Sequence, residues 1–278
     1  MKKSNFSLKL LSLVSVSSLM ALGAISRTVE AAPAMYMQAE TGMTVAGTGL
    51  YTDLSNTFTF KINERYTSTI ELDNNIAWGT ESSFHPNMTH EMLRLSASDK
   101  KLGKVGDWDL GMTYRWNLPT TDAQQKNGTY GNIDFRPALS KKFGSLSILV
   151  RDVVSLHLQR NAYQRNVSRD TAVGNALVSN VVEFLPSYAI TGTLTFNAAL
   201  FNVNSLVGAA PVPGGATQPS TTWSNKIRHI WSLEYAFASP KDLTASISYD
   251  TISKYGGGAE FKLFSEASTA YLTVGRAF

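Results

Sequence analysis

Charged residues recur at alternate positions along many segments of this chain of 278 residues. A strand that carries them on one face would line an enclosed space with both signs of charge. Our candidates for such a lining are three arginines and three acidic residues: Arg115, Arg136, Arg151, Glu71, Asp73 and Asp109. Rings of opposite charge around a water-filled pore orient small polar solutes. The alternative is that these charges pair with each other and plug a narrow interior.

The other charged positions of the same parity balance each other. When the three candidate arginines are included, eight cationic residues share this parity: Lys61, Arg65, Arg94, Arg115, Arg136, Arg151, Lys226 and Arg228. Eight acidic residues, which include the three acidic candidates, also share it: Glu40, Glu71, Asp73, Asp109, Asp134, Glu183, Glu234 and Asp250. A lining of this composition favours weak rather than strong ion selectivity.

The four histidines offer little for catalysis or metal binding. His85 near Glu81 is the nearest approach to an acid–base pair, and this arrangement is common on solvated loops. His85, His90 and Glu91 lack the compact spacing of a metal site. The chain has no His-x-Ser pair of the kind that outer-membrane phospholipases carry, no phosphate-binding glycine loop and no G-x-S-x-G. We therefore predict no enzyme, metal or cofactor, although a hydrolase whose residues meet only in space remains an alternative.

Strict alternation of side-chain class predicts the elements that would position these charges. The clearest case is the segment 108–118, where one face would carry Trp108, Leu110, Met112, Tyr114, Trp116 and Leu118. The other face would carry Asp109, Gly111, Thr113, Arg115 and Asn117. A helix would scatter both sets around its circumference, whereas a strand separates them.

Twelve such segments follow one another along the chain. They are 36–46, 54–62, 65–78, 90–98, 108–118, 133–142, 146–159, 177–190, 193–203, 227–237, 243–252 and the terminal strand 270–278. The connections that follow them alternate in length. Short turns fall at 63–64, 102–106, 143–144, 191–192 and 239–241, and longer loops at 79–89, 118–130, 160–175, 204–222 and 254–267. This layout is typical of a bacterial transmembrane barrel with an even number of strands. Ten or fourteen strands also fit the pattern.

Four residues conflict with a regular barrel. Pro137 and Pro186 fall inside predicted strands, where each should mark a bulge or the true end of the strand. Asp152 and His229 fall on the outward parity, and a bulge that shifts the register would move them inward.

Six aromatic residues near the predicted strand ends are candidates for girdles at the membrane interfaces. They are Trp78, Trp108, Tyr114, Trp116, Trp223 and Tyr235. The alternative is that they form the core of a soluble sandwich, since aromatic residues also favour strands.

The first 31 residues have the pattern of an export signal. Lys2, Lys3 and Lys9 precede an apolar stretch at 10–25, and Val29 and Ala31 supply the small residues that a signal peptidase reads. We predict a signal peptide over 1–31 and one domain over 32–278. The leader holds four of the 25 Lys and Arg residues and one of the 21 Asp and Glu residues, so the mature chain has a net charge of +1. This charge gives no support to nucleic-acid binding.

The end of the chain alternates in the same way as the other segments. Ala270, Leu272, Val274 and Phe278 share one face, and Tyr271, Thr273, Gly275 and Ala277 share the other. This run resembles the C-terminal assembly signal of bacterial outer-membrane β-barrel proteins, which commonly end in Phe. Arg276 departs from the pattern because it lies on the lipid-side parity. The resemblance implies a place in the outer membrane of Gram-negative bacteria, with periplasmic chaperones and the barrel-assembly machinery as partners.

We therefore predict an all-β, transmembrane, antiparallel up-and-down barrel of about twelve strands. The absence of Cys from an exported chain fits this class. The function that we predict is a passive, weakly selective channel for small hydrophilic solutes, with membrane lipid around it. The first alternative is a non-conducting structural, receptor or adhesin barrel whose surface loops bind. The second is an outer-membrane hydrolase. The sequence does not predict an oligomeric state.

Overall fold

A computed structural model of the chain describes residues 34–44, 50–77, 87–120, 129–160, 163–166, 171–208, 222–240, 242–255 and 268–277. Within these ranges it contains fourteen strands. They are β1 (Ala34–Thr44), β2 (Leu50–Lys61), β3 (Tyr66–Ala77), β4 (Asn87–Val105), β5 (Trp108–Pro119), β6 (Thr129–Phe143), β7 (Leu146–Gln159), β8 (Tyr163–Asn166), β9 (Thr171–Gly174), β10 (Ala176–Ala189), β11 (Leu194–Val207), β12 (Thr222–Ala236), β13 (Leu243–Tyr255) and β14 (Thr269–Ala277).

Twelve of these strands form one closed antiparallel barrel, in which each strand pairs with its neighbours in chain order. The first strand closes the ring against the last, with Tyr36 opposite Ala277 and Thr44 opposite Thr269. The short strands β8 and β9 form a separate two-stranded sheet between β7 and β10. The prediction of an all-β barrel with twelve strands is therefore confirmed, and ten or fourteen barrel strands are excluded.

The two faces of the barrel wall differ in polarity. Many polar side chains that face the interior are at most 9 % exposed, among them Thr67, Asn117, Asp134, Arg136, Ser155, Ser179, Glu183, Ser248 and Asp250. Large apolar side chains on the outer face are 39–69 % exposed, among them Leu72, Val182, Phe184, Phe196, Leu233, Ile247 and Leu272. This is the reverse of a soluble core, and it is the pattern of a barrel surrounded by lipid.

The strand bounds differ most from the prediction at β4, which continues through the expected turn at 102–106. A register shift between Asp99 and Gly103 places extra residues in β4 against β5, and the strand then resumes pairing up to Val105. Only Gly106 and Asp107 remain in the turn. Gly106 has a φ of 58°, a conformation that favours glycine, so this position allows the tight reversal.

The two prolines inside strands behave differently from the prediction. Pro137 pairs with Met112 of β5, and the β6–β7 ladder keeps one register on both sides of it. Pro186 pairs with Ile148 of β7, and the β10–β11 register is likewise unchanged. The expectation of a bulge or a strand end at each proline is wrong. Proline has no backbone N–H donor, so it loses one hydrogen bond to one neighbouring strand. Its pairing with the strand on the other side stays intact.

The two polar residues of outward parity also stay where the alternation puts them. The register around Asp152 is continuous in β7–β10, and that around His229 is continuous in β11–β12 and β12–β13. The expectation that a bulge turns them inward is therefore wrong. His229 is fully buried, and Nε1 of Trp231 donates a hydrogen bond to its Nδ1 at 2.8 Å.

The described residues include no helix that is long and apolar enough to span a membrane. The predicted signal peptide, Phe278 and most of the predicted long loops lie outside the described residues.

Candidate functional site in the barrel interior

The inner face of β3, β4 and β5 carries the first group of paired charges. Arg94 lies between two carboxylates of β3: its Nη1 donates to Oε1 of Glu71 at 2.7 Å and also contacts the carboxylate of Asp73. Arg115 on β5 approaches the other oxygen of Glu71, with Nη2 to Oε2 at 4.0 Å. The alternation of a strand puts Glu71 and Asp73 on the same face, so one guanidinium group can contact both.

The inner face of β6, β7 and β10 carries a second group around Glu183. Arg151 contacts Oε2 of Glu183 through Nη2 at 2.5 Å and through Nε at 2.6 Å. Arg136 lies on the other side, with Nη2 at 3.6 Å from Oε1. Both carboxylate oxygens therefore face a guanidinium group, and the side chains of Glu183 and Arg136 are only 7 % and 11 % exposed.

Asp134 joins the two groups. Its Oδ1 accepts hydrogen bonds from Ser155 at 2.7 Å and Asn132 at 2.5 Å, and its Oδ2 accepts one from Asn117 at 3.0 Å. It lies directly opposite Arg115 across the β5–β6 ladder. Three neutral donors thus fix its carboxylate beside the arginines. We call the residues Glu71, Asp73, Arg94, Arg115, Asp134, Arg136, Arg151 and Glu183 the mixed wall.

The mixed wall holds four guanidinium groups and four carboxylates, so its formal charge is zero. Nε of Arg115 and Nε of Arg136 are buried, and no hydrogen-bond acceptor reaches either one in the part of the chain that the structure describes. The arginines therefore keep donor capacity that their acidic neighbours do not use.

The remaining interior face, on β12, β13, β14, β1 and β2, has a different charge pattern. Arg228 forms an ion pair with Asp250, in which Nη2 and Nε both donate to Oδ2, at 2.5 Å and 2.9 Å. Its guanidinium also lies over the ring of Phe201, 5.7 Å from the centroid. Glu40 accepts a hydrogen bond from Thr273 at 3.2 Å and lies opposite Asp53. We call Glu40, Asp53, Arg228 and Asp250 the acidic wall, since this group has three carboxylates and one guanidinium. Lys61, Lys226 and Glu234 lie on the inner face of the same strands but outside this group.

The structure brings together five of the six residues predicted to line a pore. Arg115, Arg136, Arg151, Glu71 and Asp73 all belong to the mixed wall. Asp109 does not, because it lies beside the short turn that follows β4, where its side chain is 63 % exposed and 3.5 Å from Nζ of Lys104. Arg65, expected on the inner face, lies in the turn before β3 and pairs with Asp99 at 2.7 Å.

Three members of the mixed wall were not among the six candidates: Arg94, Asp134 and Glu183. Parity placed them on the inner face, but parity does not reveal which inner residues are opposite one another. That information lies in the pairing of strands, such as Glu183 opposite Arg151 and Arg94 opposite Glu71.

The predicted aromatic residues are spread along the strands. Trp108 begins β5 and packs edge-on against Phe143, with ring centroids 6.1 Å apart. Tyr235, one residue before the end of β12, packs edge-on against Phe237 at 5.0 Å. Both lie at the short-turn end of the barrel. Tyr114, by contrast, lies in the middle of β5 and packs against Phe135 at 5.9 Å, rather than near a strand end.

The three remaining predicted aromatic residues are tryptophans of β5, β12 and the segment after β3. Trp116 lies on β5 three residues before Pro119. Trp223 lies opposite Leu206 near the start of β12, and its side chain is outside the described part, as is the whole of Trp78. Exposed aromatic residues at the short-turn end that were missed include Tyr66, Phe143, Tyr188 and Phe237. Their signal in the sequence is an aromatic residue directly beside a short turn.

A histidine–serine contact lies on the inner face nearer the long loops. Nε2 of His157 is 2.9 Å from Oγ of Ser179. A nucleophilic serine also needs a third group that orients the histidine. No hydrogen bond to the other ring nitrogen of His157 is found among the described residues, and no group of His, Asp and Glu there could hold a metal ion.

Comparison with known proteins bears on the fold. No family model matches the chain, and no curated protein matches its sequence. Among solved structures, the chain is similar to an outer membrane channel from Pseudomonas putida F1, with a TM-score of 0.53 and 12 % identity over 88 % of this chain and 94 % of that one. It is also similar to the NanC porin, with a TM-score of 0.51 and 11 % identity over 87 % and 98 % of the two chains. For the KdgM porin, the TM-score is 0.50 and the identity 10 % over 87 % and 99 %. These likenesses show that the chain has the fold of outer-membrane β-barrel channels.

Proposed function

We propose that the chain is a passive, weakly selective channel for small hydrophilic solutes in a bacterial outer membrane. One observation carries most of this proposal. The side chains of Arg94, Arg151 and Arg228 face the interior of a closed barrel, yet they are 28 %, 27 % and 42 % exposed. Charged groups that remain accessible inside a ring of twelve strands favour a water-filled path over a plugged interior.

The arrangement of charge supports weak selectivity. Each arginine of the mixed wall lies beside at least one carboxylate, so the field that an ion meets there is largely cancelled within the wall. The acidic wall has an excess of carboxylates. A pore lined mainly by one sign of charge selects strongly against ions of that sign, whereas a balanced lining does not. Lys61 and Lys226 on the inner face of β2 and β12 offset most of that excess, so we infer weak ion selectivity.

The two walls also provide opposite polar surfaces for a neutral solute. The mixed wall presents guanidinium donors, and the acidic wall presents carboxylate acceptors. A solute with several hydroxyl groups can exchange its hydration for contacts with both, because hydroxyl groups donate and accept hydrogen bonds. None of these contacts requires a chemical step, so the proposed transport is passive.

The location follows from the same proposal. Residues 1–31 would direct export and be removed, and the apolar outer face would then contact lipid. Insertion would involve periplasmic chaperones and the barrel-assembly machinery, as the C-terminal alternation implies.

Solute entry into liposomes tests the proposal. Purified and refolded residues 32–278 would be reconstituted, and the swelling rate measured with a neutral monosaccharide, a disaccharide and a large dextran. We expect the monosaccharide to enter fastest and the dextran not to enter. Liposomes with heat-unfolded protein are the control. Equal swelling rates with folded and unfolded protein would favour the plugged or receptor barrel instead.

A further inference from the structure

Four polar residues interrupt the apolar outer face of the barrel at one place. Asp152 lies on β7, Asn180 on β10, and Asn202 and Asn204 on β11. Asp152 and Asn202 are each directly opposite Val182, and Asn180 is directly opposite Asn204. The amide nitrogen of Asn180 donates a hydrogen bond to Oδ1 of Asp152. We call these four residues the outer polar patch.

The outer polar patch lies within the apolar band and not at its edge. Toward the short turns, the next outward residues on the three strands are Val150, Val182 and Leu200. Toward the long loops, they are Val154, Val178 and Leu206. Apolar residues therefore border the patch on both sides along every strand that carries it. Contact with lipid headgroups alone does not account for such a position.

The patch retains hydrogen-bonding capacity that lipid tails cannot satisfy. Asp152 is an acceptor with several lone pairs, of which the contact with Asn180 uses one. Asn202 is exposed, and neither it nor Asn204 forms a side-chain hydrogen bond with any side chain that the structure describes; the side chain of Asn225, opposite Asn204, is outside that part. Polar groups in hydrocarbon are costly, and where they occur inside a membrane they usually face protein or water.

We propose that the outer polar patch is the contact between two copies of this chain, whose barrels meet side by side through β7, β10 and β11. The chemistry of the patch favours an identical partner. A carboxylate only accepts hydrogen bonds, whereas an asparagine amide both donates and accepts them. The patch therefore contains the donors that its own carboxylate needs and requires no opposite charge from a different protein.

The placement of the residues fits a two-fold axis along the membrane normal in front of Val182. Rotation about this axis exchanges the β7 side of the patch with the β11 side. Asp152 of each copy would then face the Asn202 and Asn204 side of the other copy, because these residues flank Val182 in opposite directions. Such an isologous contact uses the same surface twice and closes at a dimer. The proposed dimer contact does not depend on which solute the barrel conducts.

Single cysteines test this contact cleanly, because the chain has no Cys of its own. Val182→Cys places a thiol at the proposed axis, where the two copies come close enough for a disulfide. Ile247→Cys is the matched control, since Ile247 lies on the outer face of β13 and is 69 % exposed. In reconstituted membranes under an oxidant, we expect a covalent dimer with Val182→Cys and a monomer with Ile247→Cys. A monomer in both, or equal dimer yields in both, would overturn the proposal.

A second set of variants tests the role of the amides. In the Val182→Cys background, Asn202→Leu with Asn204→Leu removes the proposed donors and leaves an apolar outer surface that a barrel in lipid tolerates. Retained heat-modifiable migration on gels would show that these variants fold. We expect a clear loss of covalent dimer relative to Val182→Cys alone. An unchanged yield would overturn the amide–carboxylate pairing. A cross-linked product in native membranes whose mass differs from twice the monomer would overturn the identity of the partner.

Discussion

Arg151 contacts a single oxygen of Glu183 through two nitrogens, Nη2 at 2.5 Å and Nε at 2.6 Å, across the β7–β10 ladder. The other oxygen of Glu183 faces Arg136 at 3.6 Å. One carboxylate thus lies between two guanidinium groups on the inner face of the barrel. The charge balance of the mixed wall depends on this carboxylate more than on the carboxylates that face one arginine.

Glu183→Gln should therefore change both ion preference and stability. Loss of the carboxylate leaves two guanidinium groups close together with less compensation, so we expect a shift toward anions in the reversal potential. Breaking a buried, hydrogen-bonded pair also destabilises the fold, here by about 1–3 kcal/mol, because the interior is partly hydrated. Urea unfolding followed by tryptophan fluorescence measures the second effect.

Glu234→Gln is the matched control for this substitution. Glu234 lies on the inner face of β12 near the short-turn end, and its described neighbours include no ion-pair partner. We expect little change in its unfolding midpoint. Equal destabilisation by both variants would contradict the role that we assign to Glu183.

Arg228→Gln should shift ion preference in the opposite direction. Arg228 is the one guanidinium group of the acidic wall as defined above, and its ion pair with Asp250 offsets one of three carboxylates there. Its removal should make the channel more cation-selective. Lys61→Gln removes the same charge at the end of β2, beside a short turn, and should change the reversal potential less. A shift toward anions in Arg228→Gln would contradict the proposed asymmetry of the two walls.

Gly275→Ala should destabilise the seam where the barrel closes. A Cβ atom at position 275 would lie 2.7 Å from Cζ of Tyr36, the aromatic ring that packs over this glycine from β1. Overpacking of this kind costs about 1–3 kcal/mol, unless the ring can move. We expect a lower unfolding midpoint, and the added substitution Tyr36→Ala should recover part of the loss. Gly192→Ala is the control, because a Cβ there meets no atom within 4 Å.

Much of the fold was predictable because lipid and water impose opposite demands on the two faces of each strand. The observed bounds of β7, Leu146–Gln159, coincide with the predicted segment 146–159. Alternation failed at β4, where the shift between Asp99 and Gly103 interrupts the period of two. The sequence pattern ends at that interruption, whereas the strand continues on the other side of it.

The candidate site was predictable only in part, for a different physical reason. Parity assigned Arg151 and Glu183 to the inner face, and the up-and-down order made their strands neighbours, but their contact also requires the register that places the two residues opposite each other. Because a long connection, which contains the hairpin β8–β9, joins these strands, the sequence did not specify that register. Parity also assigned Asp109 correctly to one side of β5, yet it does not encode depth, so the exposed position of Asp109 beside the turn was missed.

The export signal makes a separate prediction about the mature chain. Mass spectrometry of protein purified from bacterial outer membranes should give an N-terminus at Ala32, because the small residues Val29 and Ala31 precede it. Recovery of a chain that still begins at Met1 would contradict the predicted cleavage. Lys9→Leu should leave the cleavage position unchanged, since it alters only the charged region at the start.

The most direct test of the channel is single-channel recording in planar bilayers, with a salt gradient, on purified protein and on Arg115→Glu. The unmodified protein should give discrete conductance steps and a small reversal potential, and Arg115→Glu should shift that potential toward cations. Lys101→Glu makes the same charge change at an exposed site, 65 % accessible and paired with Glu64, and should shift it less. The absence of conductance steps from folded, heat-modifiable protein would contradict the proposed channel. Conductance with a reversal potential that Arg115→Glu leaves unchanged would contradict the place of Arg115 in its lining.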